Sequence, residues 1–203
     1  MVAPLTEYEE SIAFYYELGT TITAWADVEK SLLWIVTACF PKTAQERAAL
    51  SFLSIENFRS KMTVADRLFT FKFDAAKHID QWEQLYSKLE KLSSLRNHIA
   101  HYHASWYPHA KPGRRGALIP TISDTPKFRS RRPQPPPGSL FLRDIVHARH
   151  QFNGLSRALE FLVYRAKGKK TQLPISFAQV GDAPTMEQLV RQIRPLLAKQ
   201  PAP

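Results

Sequence analysis

The sequence predicts an all-α fold, an up-and-down helical bundle of four to five helices with a basic, proline-rich insert between the third and fourth long helices. Three observations predict it. Apolar residues recur every three to four positions over long windows, the spacing of one helix face. Prolines and glycines cluster in one segment instead of punctuating the whole chain. The surplus of positive charge falls on that same segment.

The first helix opens on Thr6-Glu7-Tyr8-Glu9, a capping box in which the threonine hydroxyl and the Glu9 carboxylate satisfy each other's free amides. Ile12, Tyr15, Ile22, Trp25, Leu32, Leu33 and Val36 then recur at helical spacing until Pro41 stops the pattern. Such a helix is about 50 Å long, with Gly19 as its weak point. A second capping box, Thr43-Ala44-Gln45-Glu46, opens the next element, which runs through Leu50, Leu53, Phe58, Met62, Ala65, Leu68 and Phe69. A break is expected near Ser54, because Leu53 and Ile55 fit different faces. The third helix carries Ile79, Trp82, Leu85, Leu89, Leu92, Leu95, Ile99 and Tyr102 at steps of three and four. That stripe suits packing between two other helices.

Residues 105–140 hold eight of the fifteen prolines, together with Lys111-Pro112-Gly113-Arg114-Arg115-Gly116 and Pro135-Pro136-Pro137-Gly138. Proline removes an amide donor and fixes φ, so no long helix fits here. A short β-hairpin is expected instead, Ser105–Tyr107 against Ala117–Ile119. A fourth helix follows through Leu142, Ile145, Phe152, Leu155, Leu159 and Leu162, ending near Lys167-Gly168-Lys169-Lys170. The chain thus divides into a helical domain, 1–170, carrying the insert 105–140, and a C-terminal extension, 171–203, with a short helix over Met186–Leu197.

Composition narrows the setting. A hydrophobic fraction of 44% and an aromatic fraction of 11% are those of an ordinary globular chain. The one cysteine, Cys39, lies in an apolar stretch and reads as a buried core thiol, which fits a reducing cytoplasm. Met1–Glu10 has no basic start followed by an apolar run, and Leu32–Phe40 is too short to span a bilayer, so no membrane association is expected. Residues 1–104 hold 11 Lys/Arg against 13 Asp/Glu, whereas residues 105–170 hold 14 against 3. A local excess of this kind favours a polyanionic partner, and a solvated charged loop is the competing reading.

The third helix ends Leu95-Arg96-Asn97-His98-Ile99-Ala100-His101-Tyr102. With 15 Arg and 7 His in 203 residues, the Arg-to-His spacing alone is near chance. Its setting at the end of a long amphipathic helix says more. The sequence here resembles the HEPN superfamily (higher eukaryotes and prokaryotes nucleotide-binding), whose ribonuclease members carry an arginine, a polar residue, three further residues and a histidine. Arg96, Asn97 and His101 match those positions. Trp25-Ala26-Asp27-Val28-Glu29 and Arg59-Ser60-Lys61-Met62 also look like many bacterial members, and the resemblance covers roughly residues 8–165.

The resemblance implies a metal-independent endoribonuclease without a cofactor, a toxin or phage-defence component whose composite site forms at a homodimer interface. It implies RNA as substrate, a 2′,3′-cyclic phosphate product, and an antitoxin or a nucleotidyltransferase as further partner. The chemistry is consistent with the residue types. An imidazole moves a proton at the 2′-hydroxyl or the leaving oxygen, an arginine stabilises charge on the phosphate, and Asn97 orients the histidine or the phosphate. Glu29, which interrupts an apolar face, and His98 are supporting candidates, with Glu29 a possible partner of Arg96. Arg114, Arg115, Lys127, Arg129, Arg131 and Arg132 are the candidate nucleic-acid contacts, with Trp106, Tyr107 and Phe128 among them to stack bases.

Two alternatives stay open. Arg96 and His101 also suit a helix C-terminus as plain dipole partners. The whole chain also reads as a non-catalytic HEPN-like helical module that binds nucleic acid or a protein. His98/His101 and His147/His150 stand three apart, but no cysteine or Glu-x-x-His arrangement accompanies them, so no metal is expected.

Overall fold

The computed structural model describes residues 5–73, 75–120 and 134–168, together with Gln188, Arg191 and Pro195. Helix α1 (Glu7–Ala38) starts at the predicted capping box. Thr6 N donates to Glu9 Oε2 at 2.8 Å and Glu9 N donates to Thr6 Oγ1 at 3.2 Å. The helix runs unbroken through Gly19, where an added Cβ would meet open space.

The face that α1 buries differs from the one its apolar residues suggest. Tyr15 and Ile22 are 55% and 53% exposed. Glu10, Phe14, Glu17, Thr21, Ala24 and Val28, stepping by three and four, are each 4% exposed or less. Half of that stripe is polar, so an apolar count misses it.

A 3-10 turn (Lys42–Ala44) leads into α2 (Gln45–Leu53). The capping box expected at Thr43 does not form. Thr43 already sits inside the 3-10 turn, and Ala44 takes the cap position with no side-chain bond. Leu50 and Leu53 point outward, and Phe52 is the buried residue of this helix. The break near Ser54 does occur. Helix α3 (Phe58–Lys72) begins afresh, capped by Asn57, whose Oδ1 accepts from Arg59 N at 2.8 Å and Ser60 N at 3.3 Å. Helix α4 (Ala75–His101) buries Trp82, Leu85, Leu89 and Ile99 from the predicted stripe.

After α4 the chain enters a small antiparallel sheet. Strand β1 (His103–Trp106) pairs with β2 (Gly116–Ile119), setting Ser105 opposite Ala117 and Trp106 opposite Gly116. Tyr107 lies just past the strand, its N–H donating to Arg115 O at 2.7 Å. A third strand, β3 (Leu140–Phe141), pairs with the other edge of β2, a strand absent from the sequence prediction. The chain is therefore predominantly helical, with a three-stranded sheet where only a hairpin was expected. Helix α5 (Leu142–Ala166) follows β3 directly, and Asp144 Oδ2 accepts from Phe141 N at 2.9 Å at the junction. Of the expected C-terminal helix, Gln188, Arg191 and Pro195 are helical, and its remaining residues lie outside the described set.

Among the described residues, contacts group 5–22, 95–120 and 134–150 with Gln188, Arg191 and Pro195 in one unit, and 23–73, 75–94 and 151–168 in a second. In the second, Trp25 packs its ring 4.8 Å from Phe58 and 5.0 Å from Phe152. Phe69 stacks on Trp82 at 4.8 Å, and Trp82 Nε1 donates to Asp66 Oδ1 at 2.7 Å, so the buried indole keeps a partner. Cys39 is partly buried there, and burial pushes its thiol up to about 11 against the opposing pull of Lys72 and Lys167. Such a thiol is unreactive.

In the first unit Thr21 Oγ1 donates to Ile145 O at 3.2 Å, fixing α1 against α5. Tyr107, Ala110 and Ala117 form a small core under the sheet, joined by Ile119 and Phe141. Gly116 packs so tightly that an added Cβ would stand 2.7 Å from the ring of Phe14. Among the described residues no helix is long and apolar enough to cross a membrane.

The two glycines give opposite expectations. Gly116→Ala should lower the unfolding free energy by about 1–3 kcal/mol, because the buried Phe14 ring has nowhere to retreat. Gly19→Ala should raise it by about 0.5–1 kcal/mol by favouring the exposed helix. Denaturant titration of both variants checks the pair.

Candidate functional site

The last turns of α4 present the predicted motif. Ile99 is buried and sets the inward face, Arg96 is half-buried, and Asn97, His98, Ala100 and His101 are exposed. Arg96 Nη1 donates to Asn97 Oδ1 at 3.1 Å, so the asparagine holds the guanidinium directly. His101 is the final residue of the helix, about 7.5 Å further along the axis than Arg96. The ring of His98 stacks on Tyr102 at 5.0 Å and 19°, and Tyr102 N donates to His98 O at 2.9 Å where the helix turns towards β1. The geometry thus presents a guanidinium hydrogen-bonded to Asn97 and an exposed imidazole at one helix end. Glu29 is engaged with its own neighbours: Trp25 Nε1 donates to Oε1 at 2.9 Å and Lys61 Nζ to Oε2 at 3.3 Å.

The basic residues of the insert do not form one homogeneous patch. Arg114 is exposed, with its guanidinium carbon 4.3 Å from the centre of the Phe141 ring. Arg115 is committed inside the protein. Its backbone N donates to Glu10 Oε1 at 2.9 Å and its Nη1 to Glu10 Oε2 at 3.3 Å, while Glu10 itself is buried. Tyr107 is buried as well, which removes it from the residues able to stack a base. Lys127, Phe128, Arg129, Arg131 and Arg132 lie outside the described residues.

Two features of this unit were missed in the sequence. The first is the pair of buried carboxylates on α1, since Glu17 repeats the Glu10 arrangement with Arg149, whose Nε donates to Oε2 at 2.8 Å. The signal was the seven-residue spacing of the two glutamates, which puts both on one helix face. The second is a groove of about 530 Å³ lined by Glu7, Tyr8, Ser11, Tyr15 and Trp106. Glu7, Ser11 and Tyr15 are four residues apart and share a face, but Trp106 joins them only through the fold.

On α5, His147 Nδ1 and His150 Nε2 are buried without a hydrogen-bond partner. Burial, followed by the nearby charges of Arg149 and His147, holds the His150 imidazole below its ordinary pKa of 6.5. The unfolded chain therefore takes up a proton near pH 6.5 that the folded chain refuses. Stability should fall as pH drops from 6.5, and His150→Phe should flatten that fall in thermal melts recorded across pH. Glu17→Ala should cost about 3 kcal/mol by leaving a poorly solvated guanidinium, and adding Arg149→Ala should recover part of it. Comparison of the chain with protein-family models, curated proteins and solved structures finds no match.

Proposed function

We propose that the chain is a metal-independent endoribonuclease of HEPN type, a cytoplasmic toxin or phage-defence component whose composite site forms where two copies meet. The exposed end of α4 carries this reading, because Asn97 already holds Arg96 there and His101 closes the same helix. An exposed imidazole has ready access to a substrate hydroxyl, and a guanidinium offers several donors, so one bond to Asn97 leaves others for a phosphate.

In the proposed reaction His101 removes the proton of an RNA 2′-hydroxyl. The 2′-oxygen attacks the adjacent phosphorus while the bond to the 5′-oxygen breaks. His101 of the partner subunit protonates that leaving oxygen. The products are a 2′,3′-cyclic phosphate and a 5′-hydroxyl, with no redox change. Arg96 stabilises the negative charge that grows on the phosphate oxygens. An antitoxin or a nucleotidyltransferase is the expected regulatory partner.

A second reading is a helical nucleic-acid-binding module that does not cut. The excess of 14 Lys/Arg over 3 Asp/Glu in residues 105–170 supports it independently of the histidine. Single-turnover cleavage of RNA in EDTA separates the two. The nuclease reading expects EDTA-resistant cleavage that falls by about 100-fold or more in Arg96→Ala and His101→Ala. Full activity in both variants sinks it. Salt-sensitive binding without cleavage favours the module.

A further inference from the structure

The groove beside the first turns of α1 lies outside the Arg96–His101 motif. Its walls are aromatic: Tyr8 and Tyr15 project from α1, both more than half exposed, and Trp106 faces them from the end of β1. Single tyrosines on a surface are ordinary. Two tyrosines and a tryptophan around one cavity are more than the core uses: Tyr15 sets its ring edge-on to the buried Phe14 at 5.4 Å yet stays 55% exposed, and Tyr8 is 61% exposed.

The polar groups are equally specific. Trp106 Nε1 donates to Glu7 Oε1 at 3.0 Å, which fixes the carboxylate at the groove wall. A carboxylate offers about four acceptor positions, so one indole bond leaves capacity for a ligand. Ser11 is the other polar lining residue, and its hydroxyl donates to Tyr8 O at 2.9 Å.

The first turn of α1 at the groove is acidic, with Glu7, Glu9 and Glu10, and the cations lie on the adjoining β1–β2 loop. The β1–β2 loop leaves the ladder at Trp106, whose cross-strand partner is Gly116. Residues 107–115 contain Lys111, Arg114 and Arg115 and no acidic residue. Glu10 occupies Arg115, leaving exposed Lys111 and Arg114 on the loop that begins where the groove ends. A sugar-phosphate backbone over that loop meets cations while its base enters an aromatic slot.

We infer that this groove is a nucleobase-binding site that takes an unpaired guanine of a single-stranded nucleic acid. Tyr8, Tyr15 and Trp106 supply the stacking surfaces, and Glu7 reads the base edge. Guanine presents two adjacent donors, N1–H and the N2 amine, which a carboxylate accepts together. Adenine and cytosine place an acceptor nitrogen beside their amine, and uracil flanks its one N–H with carbonyl oxygens, so each repels part of the carboxylate. Trp106 is five residues from His101, at most about 18 Å along the chain. A few nucleotides bridge that span, which makes the guanine a positioning contact for the scissile phosphate. Only this last link rests on the ribonuclease reading.

The test uses the full chain and fluorescein-labelled single-stranded hexadeoxynucleotides, one carrying a single guanine among thymines and one with adenine in its place. These oligomers lack the 2′-hydroxyl, so binding is measured apart from the proposed cleavage. Anisotropy titration should show the guanine oligomer binding at least about fivefold more tightly than the adenine one. Tyr8→Ala and Tyr15→Ala should each weaken it by roughly 5- to 100-fold. Tyr16→Ala, on the same helix and exposed but outside the groove, should leave affinity unchanged. Glu7→Gln should remove the guanine preference. Circular dichroism confirms that each variant is folded, and two independent tyrosines keep the test open if one change perturbs α1.

Equal affinity of the wild type, Tyr8→Ala and Tyr15→Ala overturns the inference. So does a groove that binds a proline-rich peptide and no oligonucleotide. Guanine-selective binding by a chain that cuts no RNA keeps the groove and removes the nuclease reading. RNA cleavage indifferent to Tyr8 and Tyr15 keeps the nuclease reading and overturns the positioning link.

Discussion

Two buried carboxylates govern the arrangement of the unit that holds the candidate site. Glu10 and Glu17 lie two turns apart on the inward face of α1, both almost wholly out of solvent. An unpaired carboxylate in that position costs several kcal/mol. Each is met by an arginine from a distant part of the chain, Arg115 beside β2 and Arg149 on α5. Arg115 adds its backbone N–H, so Glu10 receives two donors from one residue. The pairs do little for net stability compared with apolar packing, yet they punish any arrangement that separates them. The insert is thereby docked on α1 and cannot behave as a loose loop along its β1–β2 portion.

That docking positions the chemistry. With β2 held at α1, Gly116 closes on Phe14, and the paired strand β1 brings Trp106 to Glu7. The same strand starts two residues after His101. The end of α4 and the aromatic groove are therefore opposite ends of one short, hydrogen-bonded connection. Its rigidity comes from ladder pairing, and the pairing register is fixed in turn by the glycine that alone fits against the phenylalanine ring.

Local signals in the sequence were legible and non-local ones were not. The Thr6–Glu9 capping box, the break near Ser54, the stripe of α4 and the hairpin depend on residues within a few positions of one another, and each appears in the structure. Thr43 failed as a cap because the preceding Pro41 starts a 3-10 turn, which places the threonine inside helical backbone. The inward face of α1 was misjudged at Tyr15 and Ile22 because Glu10, Glu17 and Thr21 look like solvent-facing residues until their partners are known. Strand β3 is two residues long and has no pattern of its own. For the candidate site, the Arg96–Asn97 contact was not foreseen, because neighbours on a helix do not share a face, and the burial of Tyr107 and the engagement of Arg115 are set by tertiary contacts that spacing does not encode.

The Glu10–Arg115 and Glu17–Arg149 pairs also bear on descent. A change that removes one charge of a pair strands the other, so losses of charge at these positions are expected to come in twos: both charges lost together, or both exchanged. Gly116 and Phe14 form a third coupled pair, since a larger residue at one is admissible only with a smaller ring at the other. Distant relatives of this chain should be recognisable by three correlated positions on α1, two of them seven residues apart, each tied to one site beyond residue 110. That signature survives the loss of overall similarity, because correlated exchange preserves the contact when neither residue is kept.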